Sequence, residues 1–174
     1  MKLKQYLEKL DKMWSELDFD DSNMSSVHAF DKFTSCLDRE MQDYQHSSEL
    51  WSMKGDWLFG KYLINNEMPE FEARNLCYLN AIKYNSRDYY AYYALGNLYH
   101  LHNKDLASAV QCFQKSISLG ADARAYSDLA RAYSQMGRRD LATECLNSAV
   151  EKFGNNSEIK IVVKEIEKGY WDPS

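Results

Sequence analysis

Four cysteines (Cys36, Cys77, Cys112, Cys145) and four histidines (His28, His46, His100, His102) are the side chains through which this 174-residue chain could hold a metal or attack a substrate. None of the cysteines forms a CxxC pair or has a closely spaced histidine, so zinc and dithiol-redox motifs are absent. His100 and His102 lie two apart, which on a helix turns them about 200° from each other and prevents joint chelation. The segment "DFDDSNMSSVHA" (18–29) offers Asp18, Asp20 and Ser22 where a calcium loop has its first ligands. Asn23 stands where that loop needs glycine, and Ala29 where it needs a bidentate glutamate, so calcium is excluded. No HExxH, GxSxG, phosphate loop or dinucleotide fingerprint occurs. The expectation is a non-enzyme with no metal and no cofactor.

Charge narrows the partners. Residues 1–50 carry six basic and eleven acidic side chains, whereas residues 51–174 carry fifteen of each. The whole net charge of −5 therefore resides in the first fifty residues, densest in "ELDFDD" (16–21). Phosphate backbones demand a basic footprint, so nucleic acid is not an expected partner. No run approaches the ~18 apolar residues of a membrane helix, and "MKLKQYLEKLDKMW" has no apolar stretch followed by small residues, so it does not read as a secretory signal. The expected location is cytoplasmic.

The elements that must carry these residues are helices, because two prolines and seven glycines are too few for the turns of a strand-rich domain. The cysteine spacings of 41, 35 and 33 suggest a repeat, and self-similarity near that period decides architecture. "FGKYL" from Phe59, "LGNLY" from Leu95 and "LARAY" from Leu129 recur at steps of 36 and 34. Each is followed by a second pattern: "CYLNAI" (77–82), "CFQKSI" (112–117) and "CLNSAV" (145–150). The recurring cysteines fall at one equivalent position and read as small core residues. Small Gly96, Ala130, Ala109, Ala142 and Ala149 let paired helices approach, while Tyr99, Phe113, Tyr133 and Leu146 fill the space between layers.

Together these patterns resemble the tetratricopeptide repeat (TPR) family, a helical hairpin of 34 residues. The copy containing Tyr92, Leu95, Gly96, Tyr99, Ala109 and Phe113 fits best, with one extra residue in its turn. The copy with Tyr126, Leu129, Ala130, Tyr133, Ala142, Leu146 and Ala149 follows. In the first copy Phe59, Gly60 and Leu63 match, the turn is longer, and Arg74 replaces a small residue. The resemblance covers residues 53–153 and implies an all-α, right-handed superhelix of antiparallel hairpins forming a single domain over 1–174. Its expected parts are an N-terminal helical hairpin (1–47), a degenerate repeat (53–86), repeats at 89–122 and 123–156, and a capping helix (157–169). Ile159, Val162, Val163 and Ile166 form the apolar stripe of that last helix. Leu3, Tyr6, Leu7, Leu10, Trp14 and Leu17, then Val27, Phe30, Phe33, Leu37, Met41 and Tyr44, do so for the first two; these form either a further hairpin or an arm folded on the stack.

The resemblance implies a concave groove lined by the first helix of each hairpin. Lys54, Trp57 and Lys61 fall there from copy one; Tyr90, Tyr93, Asn97 and His100 from copy two; Arg124 and Arg131 from copy three, with Asp128 beside them. Such an aromatic and basic wall suits one protein or peptide partner. Of the positions where co-chaperone repeats hold a heat-shock-protein tail, only Arg124 retains the right charge, which argues against that ligand. Two specific versions stay open. One resembles the bacterial type III secretion translocator chaperones, which hold secreted cargo in the groove. The other is an immunity protein, a toxin inhibitor whose acidic surface of Glu16, Asp18, Asp20 and Asp21 attracts a basic enzyme. A homodimer is a further option, with "YWDPS" (170–174) as one contact, although the favoured expectation for this tail is that it packs back on the last hairpin.

Overall fold

A computed structural model describes residues 2–16, 24–65, 71–103, 105–154 and 156–173. Its helices are α1 (Lys2–Ser15), α2 (Met24–Asp43), α3 (Ser48–Asn65), α4 (Phe71–Tyr84), α5 (Tyr89–Leu98), α6 (Leu106–Ser118), α7 (Ala123–Gln135), α8 (Arg139–Phe153) and α9 (Ser157–Glu167). A π-helical turn, Tyr99–Asn103, follows α5. No strand occurs among the described residues, so the protein is an all-α helical repeat. The backbone divides into two compact units, Met1–Ser86 and Arg87–Ser174.

In the second unit, helix starts are written in the sequence at a spacing of 17. Asp88, Asp105 and Asp122 precede α5, α6 and α7, and Asn156 follows after two more such steps to precede α9. Each side chain accepts from a first-turn amide: Asp88 from Tyr90 and Ala91, Asp105 from Ser108, Asp122 from Arg124, Asn156 from Ile159, all at 3.0–3.1 Å. An acceptor satisfies N–H groups that no helical carbonyl reaches, and a carboxylate also meets the positive helix end. α5 pairs with α6, α7 with α8, and α9 lies against α7 and α8. Ala109, Phe113, Leu129, Ala130, Ala142, Leu146, Ala149, Ile159 and Val162 form the core. A Cβ on Gly96 would fall 2.7 Å from the Phe113 ring, so this glycine sets the distance between α5 and α6. The chain has one more residue between Gly96 and Ala109 than between Ala130 and Ala142. The π turn, widening the helix by one residue, lies in that interval and takes up the excess.

In the first unit, α1 and α2 pair and α2 lies on α3, with Leu10, Phe33, Leu37 and Leu50 buried between them. In the α3–α4 hairpin a close approach occurs at Gly55, where a Cβ would lie 2.6 Å from the Tyr78 ring, and α3 begins at Ser48, ahead of the repeat expected from residue 53. The buried Tyr78 ring is held there as its hydroxyl donates to Asp56 Oδ1 at 2.8 Å. Arg74, the large residue at a small position, is accommodated by laying its guanidinium 4.8 Å from the Phe59 ring centroid.

Candidate protein-binding site

Side chains of α5, α7 and α9 share one face of the second unit. Residues one repeat apart meet across it: Arg131 and Glu165 are separated by 34 positions, Tyr93 and Asp128 by 35. Tyr93 Oη donates to Asp128 Oδ2 at 3.0 Å, and Arg131 Nη1 donates to Asp128 Oδ1 at 2.8 Å. Arg131 Nε donates to Glu165 Oε2 at 2.9 Å, and the same carboxylate oxygen accepts from Trp171 Nε1 at 2.9 Å. Arg124 lies 5.7 Å from the Tyr93 ring centroid and also grips Asp122 Oδ2 through Nε and Nη2 at 3.0 and 2.8 Å. Tyr90 is half-buried, its ring 6.3 Å from that of Tyr93, and Asn97 interacts with the Tyr93 hydroxyl.

These contacts change the electrostatic character of the face. Arg124 and Arg131 are opposed by Asp122, Asp128, Glu158 and Glu165, so the wall is aromatic and, on balance, acidic rather than basic. Burial alone would raise the Glu165 carboxyl, but hydrogen bonds from Arg131 and Trp171 outweigh it and hold the group below its ordinary range. Glu158 has no such donor, and burial with the nearby charges of Asp128 and Asp122 pushes it up. Burial and Asp128 push the Tyr93 phenol up to about 12, leaving it a hydrogen-bond donor at neutral pH.

The chain then turns back on itself. Gly169 (φ +70°) ends α9, and the Tyr170 amide closes onto the Glu165 carbonyl at 3.0 Å. That left-handed conformation suits glycine and reverses the backbone. Trp171 thereby sits 5.7 Å from Arg131 and 6.1 Å from the His100 ring, while Asp172 accepts a fork from Arg139, whose Nε donates at 2.8 Å. His100, 4% exposed, is pressed between Trp171 and Phe113. Its Nε2 has no hydrogen-bond partner, and burial lowers its pKa despite Asp128 and a hydrogen bond to Gln135. Beside it a cavity of about 460 Å³ is lined by Leu101, Leu106, Gln135, Tyr170 and Pro173 among others.

The candidates from the first unit have different surroundings. Trp57 Nε1 donates to Thr34 Oγ1 at 2.7 Å and its ring packs against the buried cluster around Leu37. Lys54 Nζ lies 3.8 Å from Asp38. This side of α3 is thus covered by α2. The Lys61 side chain lies outside the described residues, as do Asp18, Asp20 and Asp21. Glu16 is exposed and 3.9 Å from Lys12. Sequence reasoning missed Glu165 and Arg139, while Trp171 and Asp172 follow the expected course back onto the last hairpin. Adding one repeat to Arg131 would have found Glu165.

Thiol chemistry has no support here. Cys77 and Cys145 are buried as expected of core residues, whereas Cys36 and Cys112 are half-buried. Burial raises the Cys77 and Cys112 thiols to about 11 and Cys145 to about 12, so none of these three is a thiolate nucleophile at neutral pH. Among the described residues no three His, Cys, Asp or Glu side chains are grouped to hold a metal, and no helix is long and apolar enough to cross a membrane.

Tetratricopeptide-repeat family models match residues 77–111 and 123–151. Among solved structures, MamA AMB-1 is similar at 17% identity and a TM-score of 0.56, covering 92% of this chain and 90% of that one. A mutant of MamA is similar to the same degree, with 91% of its chain covered. At this identity the likeness is one of fold. No curated protein sequence is significantly similar.

Proposed function

Because the chain carries tetratricopeptide repeats, we propose that it is a non-catalytic interaction module that binds one protein partner through the inner face of α5, α7 and α9. The observation that supports this reading is the half-buried pair Tyr90 and Tyr93 beside Arg124, aromatic and guanidinium groups of the kind that dominate binding energy. The wall's excess of carboxylates favours a segment with basic side chains between apolar ones. Affinity purification with the wild-type chain, compared with Tyr90→Ala and Arg124→Ala, tests it. Both variants should lose the partner while keeping the wild-type helix content; Lys54→Ala should retain it. Capture unchanged by both groove variants would refute the reading.

A second reading rests on the acidic skew of residues 1–50. As an inhibitor of a basic toxin enzyme, the chain would use Glu16, Asp18, Asp20 and Asp21 to accelerate association. Changing those four acids to amides would then slow association and flatten its salt dependence, with the groove variants nearly silent. As a cytoplasmic chaperone of secreted cargo, the chain would show the reverse pattern.

A further inference from the structure

Resting on the reading of this inner face as a binding surface, we propose that its α9 end is a receptor for an aromatic–acidic pair in a partner segment, and that Trp171-Asp172 is a displaceable stand-in for it. Each contact of the stand-in specifies a ligand group. Glu165 Oε2 accepts an aromatic N–H at 2.9 Å, the Arg131 guanidinium lies over the ring at 5.7 Å, and Arg139 forks onto the carboxylate that follows. Ser134 reaches the same carboxylate at 3.5 Å.

The fit is incomplete in two ways that favour exchange. The chain's own segment leaves His100 Nε2 buried without a partner, the kind of vacancy that costs stability until it is filled. It also leaves the adjoining cavity of about 460 Å³ unfilled, with Leu101 and Tyr170 largely exposed at its edge. A partner that adds a hydrogen-bonding group toward His100 Nε2 and an apolar side chain would satisfy both, and so displace the resident pair.

The test uses the full chain and a fluorescein-labelled peptide, Lys-Gly-Tyr-Trp-Asp-Pro, the sequence of residues 168–173. The variant Trp171→Ala/Asp172→Ala should bind this peptide at least tenfold more tightly than wild type by fluorescence anisotropy. Peptides with Ala for Trp, or Asn for Asp, should each lose about that factor, and Arg139→Ala added to the variant should erase the preference for Asp over Asn. Equal binding to wild type and variant, or indifference to the Trp, overturns the proposal. Should the variant unfold, the wild-type chain decides: the Trp171 indole N–H resonance should move as unlabelled peptide is added, and an unmoved resonance at saturating peptide overturns it. A wild-type dimer that is lost in the variant would assign the site to a second copy of the chain, also overturning it. No natural partner is used, so failure here leaves the Tyr90 and Arg124 result standing, and the converse holds.

Discussion

Replacing Arg131 with methionine keeps most of the side-chain stem but removes a guanidinium that ties α7 to α9. Two charge-assisted hydrogen bonds disappear, to Asp128 at 2.8 Å and Glu165 at 2.9 Å, together with the contact to Trp171. Hydrogen bonds to charged groups contribute roughly 1.5–3 kcal/mol each, and breaking a buried pair typically costs about 3–5 kcal/mol because a charge is stranded. The stranded carboxylates here keep 16% and 26% of their side-chain surface exposed, so water recovers part of the loss. The expected cost is about 2–4 kcal/mol. Much of it is the stranded charge, so in a Glu165→Gln background the same change should cost at least about 1 kcal/mol less, a coupling within the usual range for contacting residues. Urea denaturation gives the global figure, and hydrogen exchange of the α9 amides gives the local one. A cost under about 0.5 kcal/mol, or an identical cost in both backgrounds, would refute the reasoning about this network.

Three further outcomes are expected. Gly96→Ala should destabilise in the wild-type background, because overpacking against Phe113 costs ~1–3 kcal/mol and exceeds the ~1 kcal/mol helix-propensity gain; in a Phe113→Leu background thermal denaturation should show the penalty vanish or change sign. Stability should fall as pH drops below about 6.5, because buried His100 resists protonation that the unfolded chain accepts, and again in the carboxylate range, where Arg139 holds Asp172, and Arg131 and Trp171 hold Glu165, below their ordinary values. Glu158, raised by its surroundings, opposes the second fall in part. His100→Gln should flatten the first phase alone in denaturation curves between pH 7 and 5.5. Finally, Trp57→Ala should lower stability by about 2–3 kcal/mol, less than the ~3–5 kcal/mol of a fully buried aromatic because its ring is only partly buried, and expose α2 to hydrogen exchange; a silent Trp57→Ala would mean that the α2–α3 contact contributes little.

How much was legible depends on whether a signal repeats. The helical repeat, the close-approach role of Gly96 and the small residues Ala109, Ala130 and Ala142 could be read directly, since the same spacing recurs and each occurrence supports the others. The 17-residue rhythm of Asp88, Asp105 and Asp122 is as plain a signal once helix starts are sought. The contact of Gly55 with Tyr78 was not legible, because Gly55 lies outside the recurring pattern and nothing local says which ring it meets.

The amino-acid sequence by itself determined the architecture: periodic apolar and small positions, aspartate caps and glycine stops specify helices of set length that can bury their stripes only against one another. Local spacing also identified which α5 and α7 residues share a face. Only the tertiary structure decided what that face is like. Arg124 and Arg131 look cationic in the chain, but carboxylates from their own and neighbouring helices neutralise them. Trp57 looks available for a ligand until α2 covers it, and the expected return of Trp171 to the last hairpin acquires its partners, Arg131 and His100, only in three dimensions. Charge pairing and coverage depend on distances between residues far apart in the chain, and periodicity within one helix carries no information about them.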